Sequence, residues 1–328
     1  MIPRLDISFP FKRQWQYWFG EQYEPQEGEY LLNHARTGIV MALRATLPDG
    51  GRVGVVAYNC HTVANAVVKA GCTPVFVDVT ENLMIEIESI PTDLDAIVVT
   101  NLFGIRNDVE VVRKRCPHAV IIVDNAHGYG LPAEGDFTVY SINQGKFPAL
   151  GEGGILIVNS KELRVKSVLD DLYAQLPSYG LIAQARLFVQ MLMKAIAYSR
   201  CFYWLVMKLK KTANPNVHEP ITMKRMAPGI RRLYQAWLPN AAIEIAKQRR
   251  NAEQINGAFY GDNAFMAVVR TDTPDTMKKE FADKGVEAAT HFKHCIEWVR
   301  KFGYKEGSCP KAEELAQKLL MIPTYTRI

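Results

Sequence analysis

AIVVTNLFGIRNDVEVVRKRCPHAVIIVDNAH, residues 96–127, opens and closes on short β-branched runs with a helical stretch between them. Ala96–Thr100 and Val120–Asp124 are apolar without strict alternation, the pattern of strands buried on both faces. Val109–Arg115 reads as the covering helix. The same alternation extends outward in both directions. Gly54–Tyr58 and Pro74–Val79 precede as strands, Phe137–Ser141 and Ile155–Val158 follow, and Thr37–Leu47 and Thr62–Ala70 read as helices. Strands alternating with helices predict an α/β fold: a three-layer large domain around a mostly parallel sheet, with ligand sites at the carboxyl ends of the strands.

Past Lys161 the strand signal gives way to long helical segments, and TANPNVHEP (212–220) reads as a linker. The expected division is a large domain over 1–215, including a helical segment at 181–211, and a smaller C-terminal α+β domain over 216–328. The latter holds the apolar run AFMAVV and helices over Pro274–Lys284 and Lys311–Leu320. With 328 residues, 48% of them hydrophobic, the chain can bury two such cores.

The net charge of +5 is spread along the chain, which favours an anionic small molecule over nucleic acid. Six cysteines lie far apart with no metal-ligand spacing, so no metal is expected and reduced thiols in a cytoplasmic protein are the default. The opening MIPRLDISFPFKRQW has no signal-peptide core. Leu181–Lys211 is rich in Leu, Met, Phe and Tyr but broken by Arg186, Lys194 and Arg200, so it does not read as a membrane span. Its end, SRCFYWLVMKLKK, suits either a helix packed on the large domain or across a dimer, the favoured reading, or an amphipathic helix touching a membrane surface.

The charged and polar residues at the strand ends carry the chemistry. Lys146 follows the strand ending at Ser141 by five residues and precedes a GEGG turn, which puts an amine on a loop at the top of the sheet. Alone, such a lysine is an ordinary solvated loop residue. Asp124 ends an apolar strand, where a carboxylate without a partner is costly to bury. His127 follows three residues later. NHARTGIVMAL begins a helix near Ala35, Arg36 and Thr37, whose free N–H groups, with the Arg36 charge, suit an anion.

Together these meet the four demands of pyridoxal phosphate (PLP): an amine for its aldehyde (Lys146), an acid for its ring nitrogen (Asp124), a donor for its phenolate oxygen (His127), and donors for its phosphate (Ser141, Ala35, Arg36, Thr37).

In this order and spacing the motifs resemble the DegT/DnrJ/EryC1/StrS family of sugar aminotransferases. ARTGIVMAL resembles its SGTAALxLAL turn, VDNAH its EDAAQ or EDAAH, SINQGKFPALGEGG its SFxxxKxxxxGEGG, and CPKAEELAQKLLMIPTYTRI its CPxAExLxxxxLxLPxYPxL. The resemblance implies the aspartate aminotransferase fold, PLP on Lys146, and a homodimer sharing its active sites. It also implies amino transfer, commonly from glutamate, to a nucleotide-linked keto sugar of polysaccharide or secondary-metabolite synthesis. Cys60 stands where the family stacks an aromatic residue on the cofactor, and Met223 where the partner subunit's asparagine reaches the phosphate, with Lys224 or Arg225 as substitute cations. His291 and Tyr325 fall near the substrate mouth. The alternatives are a catalytically degenerate member serving as a membrane-associated or regulatory partner, or a PLP enzyme with a different sugar reaction.

Overall fold

The structure is a computed structural model that describes residues 2–3, 6–160, 163–199, 201–203, 205 and 220–326. The expected division at 215/216, nearly all of the linker and the basic residues Lys208–Lys211 lie outside them.

Seven strands form the central sheet: β1 (Glu29–Leu32), β2 (Arg52–Val56), β3 (Thr73–Val77), β4 (Ala96–Thr100), β5 (Val120–Asn125), β6 (Phe137–Ser141) and β7 (Gly154–Val158). Their order is β1-β7-β6-β5-β4-β2-β3, with β2 to β6 parallel and β7 antiparallel to both its neighbours. The missing polar alternation has a direct cause. Ile97, Val99, Ile121 and Val123 pack on one face, while Ala96, Val98 and Ile122 pack on the other, so every position of Ala96–Val99 and Val120–Val123 is apolar. Helices cover both faces, giving the three expected layers. On one side lie α3 (Ala35–Thr46), α4 (His61–Lys69) and α6 (Leu163–Ala174); on the other lie α5 (Val109–Arg115) and the C-terminal helices Cys295–Arg300 and Pro310–Lys318.

Three elements carried no readable period. β1 has four residues, and the helices α1 (Phe9–Lys12) and α2 (Gln14–Phe19) have four and six, too short for a repeat to show. They are held by packing. Tyr17, fully buried, donates its hydroxyl to the Gln184 carbonyl at 2.9 Å, and its ring lies so close over Gly229 that a Cβ there would meet it at 2.3 Å. The helical stretch after Gly180 opens with α7 (Leu181–Ala197), whose C-cap is Tyr198, and residues 206–211 of the expected segment lie outside the described ones.

The C-terminal sheet is antiparallel, in the order β10-β9-β8, from β8 (Ala258–Phe259), β9 (Met266–Arg270) and β10 (Leu319–Pro323). The helix expected over Lys311–Leu320 stops at Lys318. Leu319 and Leu320 pair instead with Arg270 and Val269 of β9, and tertiary strand pairing overrides their helical preference. Asp78, just past β3, ties this unit to the large sheet. Its buried carboxylate accepts from the Val79, Lys311 and Ala312 N–H groups at 2.9, 3.0 and 2.7 Å, capping the Pro310–Lys318 helix from a distant strand. Asp78→Ala is expected to lower unfolding free energy by about 2 kcal/mol in urea titrations, since it leaves buried helix N–H groups unpaired.

Candidate active site

The strand order puts β2 between β3 and β4, so the chain switches sides between β2 and β4. Ligands of open α/β sheets bind at the carboxyl ends beside such a switch. A cavity of about 150 Å³ lies there, walled by Asn59 after β2, Thr100 on β4, Asp124 on β5, Ser141 on β6, and the first residues of α3. Asn59 Nδ2 donates to Thr100 Oγ1 at 2.9 Å, bridging the two strands at the switch.

Asp124 is 3% exposed, and one carboxylate oxygen accepts the Ala126 N–H at 2.9 Å. Burial pushes its pKa up, against the pull of that N–H and of Lys146. Lys146 sits in the loop after β6, its own N–H bonded to the Asn143 carbonyl at 2.9 Å. Its Nζ lies 2.7 Å from His127 Nε2.

The hydrogen bonds of His127 fix which atom carries its proton. Nδ1 accepts the Phe103 backbone N–H at 3.2 Å, and burial, then the nearby Lys146 and His291, hold the ring neutral by pushing its pKa well down. A neutral imidazole accepting at Nδ1 bears its hydrogen on Nε2. Nε2–H therefore points at Lys146 Nζ. Phe103 offers its amide at this angle from a left-handed backbone, φ 52°, and its ring stacks on the imidazole at 5.1 Å.

The third wall is the N-terminus of α3, with His34 as its N-cap and Ala35 and Arg36 in its first turn. The GEGG turn brings it in. A Cβ on Gly154 would lie 2.2 Å from the His34 carbonyl carbon and 2.3 Å from the Ala35 nitrogen, so only glycine lets β7 and this helix end meet. Asn143 pins the same turn by accepting the Gly153 N–H at 2.8 Å.

Of the residues singled out in sequence, Ala35, Arg36, Cys60, Asp124, His127, Ser141 and Lys146 all line this cavity. Thr37 does not. It is fully buried, and its hydroxyl donates to Asn33 Oδ1 at 2.9 Å, because the third position of this helix faces the protein interior. Met223 packs against the core under α3, and Arg225 donates to the Tyr173 and Ala174 carbonyls. Lys224 joins Arg36, Arg186 and Glu152 around an open groove of about 950 Å³ at the helix end. His291 lies 6.1 Å from the His127 ring. Tyr325 borders a second cavity of about 270 Å³, which Lys146 also lines, together with Lys12, Arg13 and Trp237.

Sequence reading missed His34, Asn59, Thr100, Asn143 and Phe292. Asn59 and Thr100 had a usable signal, as polar residues at or just past the ends of apolar strands. Phe292 comes from the C-terminal unit, and no local pattern marks it.

His34 offers a pH test. Burial, then the Arg36 charge, hold its pKa at about 3, and Glu152 at 3.6 Å does not outweigh them. An unfolded histidine takes its proton near pH 6.5, so stability is intact above that pH and falls as pH drops toward 3. Relative to His34→Asn, which keeps a good N-cap, the native chain should lose up to about 1.4 kcal/mol per pH unit below 6.5 in unfolding titrations.

Comparison with known proteins agrees with this geometry. Over 315 residues the chain is 23% identical to the "Pleiotropic regulatory protein" of Geobacillus stearothermophilus, covering 88% of this chain and 78% of that one. Over 151 residues it is 28% identical to the dTDP-4-amino-4,6-dideoxy-D-glucose transaminase of Shigella dysenteriae, covering 42% and 41%. Among solved structures, S. venezuelae DesV superposes with a TM-score of 0.69 at 17% identity, over 98% of this chain and 93% of that one. An aminotransferase from Psychrobacter cryohalolentis gives 0.67 at 19%, over 90% and 82%. Residues 31–187, which hold every residue named above as lining the 150 Å³ cavity except Phe292, match the model of the DegT/DnrJ/EryC1/StrS aminotransferase family.

Proposed function

We propose that the chain is a PLP-dependent aminotransferase that moves an amino group from glutamate to a keto sugar on a nucleotide carrier, working as a homodimer. The observation that carries this reading is the set of Lys146, His127 and Asp124 in one buried cavity, with Lys146 Nζ 2.7 Å from His127 Nε2. The donor set fits the cofactor of this family. A buried carboxylate whose pKa is raised by burial gains a natural partner in a ring N–H⁺, and a helix N-terminus with an arginine suits a phosphate.

When bound, PLP supplies an electron sink for the charge left as a proton departs from the amine-bearing carbon. The protein's groups do the rest. Asp124 would hold a proton on the pyridine nitrogen, and His127 would donate to the phenolate oxygen. Ala35, Arg36 and Ser141 would hold the phosphate, with Cys60 beside the ring. Lys146 would be the amine that holds the cofactor and, when released, the group that moves a proton at the substrate carbon.

The second cavity supports the substrate class. Lys12 and Arg13 stand with Trp237 and Tyr325 on its walls, a mixture suited to a diphosphate and a sugar or base ring. The groove of Arg36, Arg186 and Lys224 at the phosphate end is where a partner subunit would complete the site. A regulatory protein has no need of an amine, an acid and an imidazole in register, so we favour the catalyst.

The test is spectroscopic. PLP added to the purified chain should give the absorbance of a lysine-bound cofactor, and glutamate should bleach it with release of 2-oxoglutarate. A panel of nucleotide keto sugars then identifies the acceptor. A chain that binds PLP yet shows no half-reaction with glutamate or any other amino donor would refute the assignment.

A further inference from the structure

We infer that the face formed by α1, α2 and the outer side of α7 docks on an anionic lipid surface. The inference is independent of the reaction assigned to Lys146.

α7 is apolar on two opposite sides. Leu187, Met191 and Ala195 are buried against the protein, while Ile182, Val189, Met193 and Ile196 form an outward stripe, exposed by 85, 57, 63 and 43%. A helix apolar all round is normally covered on both sides. α1 and α2 extend the patch with Phe11, Trp15 and Phe19, the last two 67% exposed with ring centroids 4.3 Å apart and tilted by 34°. Phe11, Ile196 and Phe202 line one groove of about 480 Å³, so the two segments form a single surface. Ten of the fifteen exposed large hydrophobic side chains among the described residues lie between 11 and 19 or between 181 and 205, a concentration that scattered surface residues do not show.

Charge selects the occupant. Residues 7–20 and 172–205 contain no aspartate or glutamate, while Lys12, Arg13 and Lys194 stand among the apolar side chains. Asp6 is the one carboxylate on the groove. In a two-fold contact between copies the same patch meets itself, which would set cations against cations with almost no acid to pair them. An anionic bilayer satisfies both halves of the pattern, with aromatic and aliphatic side chains at the acyl boundary and lysine and arginine at the headgroups. Among the described residues no helix is long and apolar enough to cross a membrane, so α7 would lie in the surface plane. Asp6, Ser8, Lys12 and Tyr325 border both this groove and the cavity at Lys146, so docking would put that cavity's mouth beside the headgroups.

The test is flotation of the purified full chain with vesicles of phosphatidylcholine alone or mixed with phosphatidylglycerol. The native chain should float with the mixed vesicles, less at high salt, and stay behind with phosphatidylcholine. Met193→Glu should weaken binding at least about tenfold and Lys194→Ala about fivefold. Both positions are exposed, and unchanged thermal unfolding would show that the fold is kept. Three results would overturn the inference: no flotation of the native chain, equal flotation of Met193→Glu, or a Met193→Glu chain whose change is in oligomeric mass by light scattering while flotation is unaffected.

Discussion

Lys146→Ala should lower amino-transfer turnover by about four orders of magnitude and remove the borohydride-trappable attachment of PLP. Both losses follow from one atom. Nζ lines the buried cavity 2.7 Å from His127 Nε2. Asp124 and the α3 terminus remain in the variant, so the cofactor should still bind without covalent attachment, as quenching of protein fluorescence would report. Lys146→Arg should fail equally, because guanidinium stays protonated and would meet the His127 hydrogen with another. Turnover within about tenfold of the native chain in either variant would remove Lys146 from the chemistry.

Gly154→Ala should be the most damaging single methyl in the sheet. The added carbon would fall 2.2 Å from the His34 carbonyl carbon and 2.3 Å from the Ala35 nitrogen, and both are main-chain atoms with no side-chain end to yield. β7 cannot retreat, since it is paired with β6 on one side and β1 on the other. The helix end must move instead, at a cost of about 3 kcal/mol or more in denaturant unfolding and with weakened phosphate binding. Gly145→Ala, in the same loop region, meets nothing within 4 Å and should change stability by no more than about 0.5 kcal/mol. A Gly154→Ala chain as stable as Gly145→Ala would show that the close approach carries no strain.

The strands were legible because a sheet buried on both faces leaves long apolar runs that nothing else in a soluble chain needs. β2 and β3 each begin and end a residue or two before the apolar run suggested, as the last residues of those runs leave the ladder, Tyr58 to pack on Phe292 and Asp78 to cap the Pro310–Lys318 helix. The site was legible where chemistry and chain order coincide, at Asp124, His127, Ser141 and Lys146. It was illegible where a role depends on helix phase or tertiary approach. Thr37 lies in the right turn of α3 but on its inner side, and Phe292 reaches the cavity from a segment that begins well over a hundred residues later. The outward apolar stripe of α7 was visible only as general hydrophobicity, since sequence alone does not say which of two apolar sides the protein covers.

The main chain around Gly104 links the two sheets through the histidine. A Cβ on Gly261 would lie 1.9 Å from the Gly104 carbonyl carbon, Asp262 donates its N–H to the Gly104 carbonyl at 2.9 Å, and Asn263 Nδ2 donates to the His127 carbonyl at 2.8 Å. Gly104 in turn follows Phe103, whose amide sets the imidazole's proton. The C-terminal unit therefore holds His127 at its carbonyl, and the left-handed turn holds it at its ring. Displacing residues 261–263 would disturb both attachments together, so the seating of the C-terminal unit and the aim of the Nε2 hydrogen depend on the same contacts.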